Sequence, residues 1–292
     1  MLVLFAIMLM SISVMGVVEY LSYCNQESAV ADREFRAMHL AECGITLGLH
    51  PTIQPGDPVL KQDIGSDSGF EVTISSEGAR IPVNNLTDDT FRQATYNLFV
   101  QWGLSSDQAN IAVDSLSDWI DTDGTPRSQG AENDYYTAQG FPDFPKNQLF
   151  SSLEEMLLVR GMDAVERAKP DWRNYFSIYG DGLIDLNNAP KDIIEAFFGV
   201  TDAVADSLVK TRYGPDGIPG TEDDVALTLT SAQSLLGLDT NAFQAYSSYV
   251  TVKHLTRRVE SVGRVGTSKF RVIVVARIQT DGSMNFMARI EE

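Results

Sequence analysis

The chain has 292 residues, 43% of them hydrophobic, which is enough for one large core or two ordinary ones and excludes a largely disordered protein. Its formal charge is −18, and residues 86–245 hold 26 Asp and Glu against 10 Lys and Arg, so this middle segment repels phosphate backbones and favours cations or basic proteins. Cys24 and Cys43, the only cysteines, would stand roughly 28 Å apart on one continuous helix, which excludes a disulfide between them there.

Residues 1–18, MLVLFAIMLMSISVMGVV, contain no charge and no proline, and Glu19 follows. As a helix they would be roughly 27 Å long, close to the thickness of a bilayer's hydrocarbon core, so they read as one transmembrane segment or a signal core. A cleaved signal would show a basic start and a small-x-small cleavage site, and neither is present. Instead the helical pattern continues: Ala31, Phe35, Met38, Ala41 and Ile45 recur at spacings of three and four until Gly48, His50 and Pro51 stop it. Residues 1–50 are therefore expected to form one long helix, apolar in its first half and amphipathic in its second.

The stretch that follows is rich in Pro, Gly and Asp and reads as a loop, after which Phe70, Val72, Ile74, Ile81 and Val83 alternate around Ser-Ser-Glu-Gly as in a hairpin. From Leu86 the period becomes helical. Two amphipathic helices are predicted up to Ile120, the second capped at Ser105–Asp107. Helix, glycine, helix patterns recur at Ser152–Val165 around Gly161 and at Asn188–Arg212 around Gly199. Pro190 suits a first helical turn, with an Asn before it as cap. After residue 246 β-branched and aromatic alternation returns, with Asp281-Gly282 as a hairpin turn. Helices inserted between two parts of one antiparallel sheet make an α+β architecture: a helix over 1–50, sheet over 51–85, a helical domain over 86–245 and closing strands over 246–292.

Between the second helix and Tyr136 lies DWIDTDGTPRSQGAENDYY, which admits three readings: an acid/base loop, a cation site or a solvated turn. Counted from Asp121, oxygen-bearing residues fall at positions one (Asp121), three (Asp123), five (Thr125), nine (Gln129) and twelve (Glu132), as in an EF-hand, but Pro126 replaces the glycine its sharp turn requires. A nonstandard calcium site survives that objection because Ca²⁺ needs only six to eight oxygens in flexible geometry. A second loop, Tyr213–Val225, crowds Asp216, Glu222, Asp223 and Asp224 among glycines, where carboxylates repel unless a cation screens them, although Asp and Gly also simply make turns. His39, His50 and His254 are scattered and no Cys/His spacing exists, which disfavours zinc. None of the common nucleophile, zinc-protease or nucleotide motifs is present, and Trp119 reads as a core anchor.

Taken in order, the apolar helix, the hairpin, DWIDTDGTPRSQGAENDYY, SLEEMLLVRGM, DLNNAP and the terminal strands resemble the protein K family of minor pseudopilins from type II secretion systems. The resemblance implies a pilin-like long N-terminal helix packed on a small antiparallel sheet, with a large inserted helical domain of helix-hairpin-helix or SAM-like type. It implies a non-catalytic subunit that caps the periplasmic tip of a pseudopilus and helps start its assembly. Its partners would be minor pseudopilins of the I and J type, other pseudopilins along the N-terminal helix, the inner membrane, and prepilin peptidase if a leader exists. K subunits lack the Glu that most pilins carry at mature position five, and Phe5 holds that place if Met1 is near the mature start. The family's calcium binding is carried over to Asp121, Asp123, Glu132 and Asp134 of the first loop and to Asp216, Glu222, Asp223 and Asp224 of the second. A competing reading follows from the likeness of Leu157–Met162 to helix-hairpin-helix modules: a membrane-anchored DNA-uptake subunit. The charge of the segment that holds both modules opposes it, and no nucleic acid is expected.

Overall fold

The computed structural model describes residues 2–219, 221, 223–279 and 281–292. Its contacts divide it into two compact units, one formed by Met1–Ile74, Val259–Val274 and Ala288–Glu292, the other by Ser75–Arg258 and Val275–Met287.

The first unit opens with helix α1 (Leu2–Gly48), which passes Ser22 without a break. Its first half exposes Val3, Phe5, Met8, Met10, Val14 and Met15. The side chains at 2, 4, 6, 7, 9, 12 and 13 lie outside the described set, and among the described residues no helix is long and apolar enough to cross a membrane. The second half buries Ala37, Ala41, Gly44, Ile45 and Gly48, a stripe at helical spacing. Two members of the expected stripe, Ala31 and Phe35, are exposed instead. Where the buried stripe meets the strands the fit is tight: a Cβ on Gly44 would stand 2.7 Å from Val72 Cγ2 and one on Gly48 2.9 Å from Val72 Cγ1, so glycine is required at these two positions. Strand β1 (Lys61–Asp63) then pairs antiparallel with β2 (Ser68–Ser76), Lys61 opposite Glu71. In β2 the predicted alternation holds, with Phe70, Val72 and Ile74 buried on one face.

The second unit contradicts the hairpin expected around residues 70–84. Strand β3 (Ile81–Pro82) pairs in parallel with residues 176–177, and Ile81 and Val83 are fully buried in the helical core. Helix α2 (Asp89–Gln101) starts at Asp88, whose carboxylate accepts from Thr90 N at 2.8 Å and from the Tyr249 hydroxyl at 2.9 Å. Helix α3 (Ser106–Ile120) has a reciprocal cap, with Ser105 Oγ accepting from Gln108 N and Gln108 Oε1 from Ser105 N. It buries Ala109, Ala112, Val113, Leu116, Trp119 and Ile120 along one side. A short α4 (Asn133–Ala138) follows.

The predicted first member of the helix-glycine-helix unit at 152–165 is a 3-10 turn over Glu154–Leu158, leading to α5 (Met162–Ala168). Gly161 between them has φ 89, and a Cβ there would stand 3.0 Å from the Ala112 backbone, so glycine serves both the turn and the close approach to α3. Strand β4 (Phe176–Ser177) is β3's partner, and β5 (Ile184–Asp185) precedes α6 (Lys191–Phe198), α7 (Asp202–Arg212), α8 (Leu229–Leu236) and α9 (Thr240–Gln244). Asn187 pins this region: its Nδ2 donates to the Val252 carbonyl at 2.8 Å and its Oδ1 accepts from Leu227 N at 2.8 Å. Strand β6 (Val250–Thr251), expected in the main sheet, pairs in parallel with β5 instead. Nearby, Asp181 accepts from His254 Nε2 at 2.7 Å and from Arg277 at 3.0 Å, while His254 Nδ1 accepts from Thr256 N at 3.0 Å.

Strands β7 (Thr256–Val265), β8 (Ser268–Ile278) and β9 (Met284–Glu291) complete a five-stranded sheet in the order β1-β2-β7-β8-β9. The β8–β9 turn uses Gly282 at φ 82, as Asp-Gly predicts. Val259, Val272 and Val274 join Phe70, Val72 and Ile74 to pack against Ala41 and Ile45 of α1. A Cβ on Gly263 would overlap the Ala37 carbonyl and stand 2.5 Å from Ala41 N, so helix and strand meet backbone to backbone. Arg289 of β9 is bonded to Glu42 of α1 at 2.9 Å.

Candidate metal centre

Three carboxylates converge at the end of α3. One oxygen from each of Asp118, Asp121 and Glu132 lies within 4.8 Å of the others, the one such group among the described residues. Asp118 is fully buried although it sits in the last turn of α3, because the chain leaving the helix folds back over it. Arg127 N donates to Asp118 Oδ2 at 3.1 Å, and Arg127 Nη1 donates to Asp118 Oδ1 at 2.8 Å and to Asp121 Oδ2. A Cβ on Gly130 would overlap Asp118 Oδ2 and stand 2.7 Å from its Cγ, so the Gly-Ala-Glu step lets the loop lie directly on the carboxylate.

The loop is held from its other side as well. Arg160 Nη1 donates to the Gly130 carbonyl at 3.0 Å, Arg160 N donates to the Tyr136 hydroxyl at 3.2 Å, and the guanidinium lies 4.7 Å from the Tyr135 ring centroid. Trp119 is the anchor beneath: it is fully buried, stacks on Phe150, and its Nε1 donates to Glu155 Oε1 at 3.2 Å. Ala131 is buried beside it in the same core.

Electrostatics make the cluster unfavourable for protons to leave. Burial, and then the Asp118, Asp121 and Asp123 carboxylates, push Glu132 up to about 7, against the pull of Arg127. Burial likewise raises Asp118, although Arg127 opposes it. Glu132 is 5% exposed, and its Oε1 has no hydrogen-bond partner among the described residues; neither has Asp121 Oδ1. Orphaned buried carboxyl oxygens are costly, and a hard cation with oxygen ligands would satisfy them, so this donor set fits Ca²⁺.

Of the expected ligands, Asp121 and Glu132 are brought together. Asp123 uses Oδ1 to accept from Thr125 N at 2.8 Å within its own turn, and Asp134 is exposed in the first turn of α4. In the second loop Asp216 Oδ1 accepts from Ile218 N at 2.8 Å, and Asp223 accepts from Thr221 Oγ1 at 2.7 Å and from Asp216 N at 3.2 Å. The Thr221 bond and then the Asp216 backbone bond hold the Asp223 carboxyl below its ordinary range. Asp224 N donates to the Thr221 carbonyl at 3.2 Å. Glu222 lies outside the described residues. Asp118 was not among the predicted ligands; its signal was the i, i+3 relation to Asp121, which puts both carboxylates on one side of the helix end.

A long helix laid on a small antiparallel sheet, with helices inserted between the sheet's strands, defines the pilin-like α+β class. Residues 79–170 of the chain match the family model described as type II secretion system (T2SS), protein K. Type II secretion system protein K from Pseudomonas aeruginosa is 25% identical over 238 residues, covering 76% of this chain and 66% of the relative. The protein of the same name from Pectobacterium carotovorum subsp. carotovorum is 37% identical over 62 residues, 21% of this chain and 19% of the relative. The fold matches a chain in the crystal structure of the GspK–GspI–GspJ complex from the enterotoxigenic Escherichia coli type 2 secretion system, with a TM-score of 0.63, 15% identity, and 95% of this chain and 98% of the other covered.

Proposed function

We propose that the chain is a minor pseudopilin that caps the tip of a type II secretion pseudopilus and helps start its assembly, beside subunits of the I and J type. The observation that carries this reading is the second compact unit, Ser75–Arg258 with Val275–Met287, which has a core of its own from Ile81 to Val250. A filament repeat built from one helix and one sheet has no room for a further domain of that size at every position, whereas an end position does. The similarity to a chain from a GspK–GspI–GspJ complex supports the choice of partners. The uncharged run 1–18, whose described apolar side chains are exposed, supports anchoring in the inner membrane before incorporation, with the rest in the periplasm, and lateral packing against other pseudopilins. We further assign a Ca²⁺ site to Asp118, Asp121 and Glu132, supported by the orphaned Glu132 and Asp121 oxygens.

Deletion of 86–245 tests the capping role. The shortened subunit should fail to support secretion at the tip yet enter interior filament positions, detected by cross-linking to the major subunit. Secretion at the wild-type level would refute capping. For the cation, CaCl₂ should raise the melting temperature of the wild type and leave that of an Asp118→Asn, Glu132→Gln double variant unmoved.

A further inference from the structure

Arg127 stands where a cation shared by Asp118 and Asp121 would have to go. Its Nη1 bridges the two carboxylates, at 2.8 Å from Asp118 Oδ1 and in contact with Asp121 Oδ2. Calcium binds oxygens at about 2.3–2.6 Å, so a metal ion and a guanidinium nitrogen cannot share the point between these two oxygens. The third carboxylate is left unserved: Glu132, 5% exposed, has Oε1 without a partner among the described residues. That buried, orphaned oxygen is an observation independent of the mere crowding of acids, and it belongs to a carboxylate that has an oxygen within 4.8 Å of those of Asp118 and Asp121. One guanidinium against three carboxylates leaves the cluster short of positive charge.

We propose that Arg127 is an internal competitor for the cation: it holds Asp118 and Asp121 together in the metal-free chain and swings out when a divalent ion joins them to Glu132. The inference rests on the Ca²⁺ assignment above. Two features permit the exchange. The Arg127 side chain is 25% exposed, so it has a way out to water. The loop's main chain does not depend on the guanidinium alone, since Arg160 grips the Gln129 and Gly130 carbonyls at 3.4 and 3.0 Å, and Asp114 accepts from Gln129 N at 3.1 Å. Because loading replaces one cation by another, a monovalent ion would gain nothing by entering, while a divalent ion brings the extra charge that Glu132 requires. Selectivity for divalent ions and only moderate affinity follow from one side chain.

Calorimetric titration of the whole chain with CaCl₂ tests this. In Arg127→Gln, Ca²⁺ should bind about tenfold tighter or more, because both the competitor and its repulsion are gone, while the metal-free melting temperature falls. Equal or weaker binding by this variant, with the wild type still binding, overturns the role of Arg127 and leaves the Ca²⁺ assignment standing. No binding by either protein overturns both. Should the variant fail to fold, phenylglyoxal labelling of the wild type decides: modification of Arg127, read by peptide mass spectrometry, should rise with saturating CaCl₂. Unchanged or reduced modification overturns the proposal.

Discussion

Replacing Glu132 by Gln should make the metal-free protein more stable at neutral pH, an unusual direction for a mutation at a buried position. The carboxyl is raised from an ordinary 4.5 to about 7 by burial and by the Asp118, Asp121 and Asp123 carboxylates. At roughly 1.36 kcal/mol per unit the shift corresponds to about 3 kcal/mol, which rearrangement and partial hydration of the loop reduce to an expected 1–3 kcal/mol, on the order of magnitude that such buried charges show. The sign follows from proton binding. The unfolded chain loses the Glu132 proton near its ordinary pKa and the folded chain only near 7, so wild-type stability falls as pH rises through that window and stays low above it. Gln cannot ionise and keeps nearly the same shape. Urea denaturation with chelator present, followed by tryptophan fluorescence, should therefore show little difference at pH 4 and a gain of about 1–3 kcal/mol for Glu132→Gln at pH 8. A variant less stable than the wild type at pH 8, or one that keeps the same pH slope, would refute the account of this site.

Gly130→Ala should cost about 2–4 kcal/mol, because its methyl must displace the Asp118 carboxylate from its partners and leave a buried charge poorly paired; thermal unfolding reads the loss. His254 offers a second pH test: burial pulls its pKa down, but the bonded Asp181 outweighs this, with Asp185 adding to the rise, and the net shift is upward. Its contribution to stability is therefore fully present below the ordinary histidine value of 6.5 and lost as pH rises through the folded pKa; Asp181→Asn should abolish that slope in denaturation curves taken across the range.

Long periodic elements were readable from sequence because their signal is local. The α3 cap at Ser105 with Gln108, the burial of Trp119 and the Asp-Gly turn between β8 and β9 all follow from neighbours within a few residues. The errors involve distant partners. Ile81 and Val83 alternate like a hairpin arm, yet their burial is supplied by the helical core and by β4, nearly a hundred residues on. Likewise Val250 has a strand's composition but pairs with Ile184. In the acidic loop the spacing singled out Asp121 and Glu132, which the fold brings together with Asp118, whereas Asp123 turns its Oδ1 to the Thr125 amide. The i, i+3 relation places Asp118 beside Asp121, but its burial depends on the loop that carries Arg127 and Gly130 folding back over it, and those contacts are not written in any periodicity.

The glycines where α1 meets the strands have a mechanical consequence. At Gly263 main chain touches main chain, with the Ala37 carbonyl and Ala41 amide directly opposite, and Gly44 and Gly48 extend the seam toward Val72 and Val259. Side chains can yield by changing rotamer, but abutting peptide planes cannot. A pull applied to the N-terminal half of the helix therefore reaches the strands with almost no slack, so the seam works as a stiff coupling, and any bulkier residue at 263 would turn it into a spring.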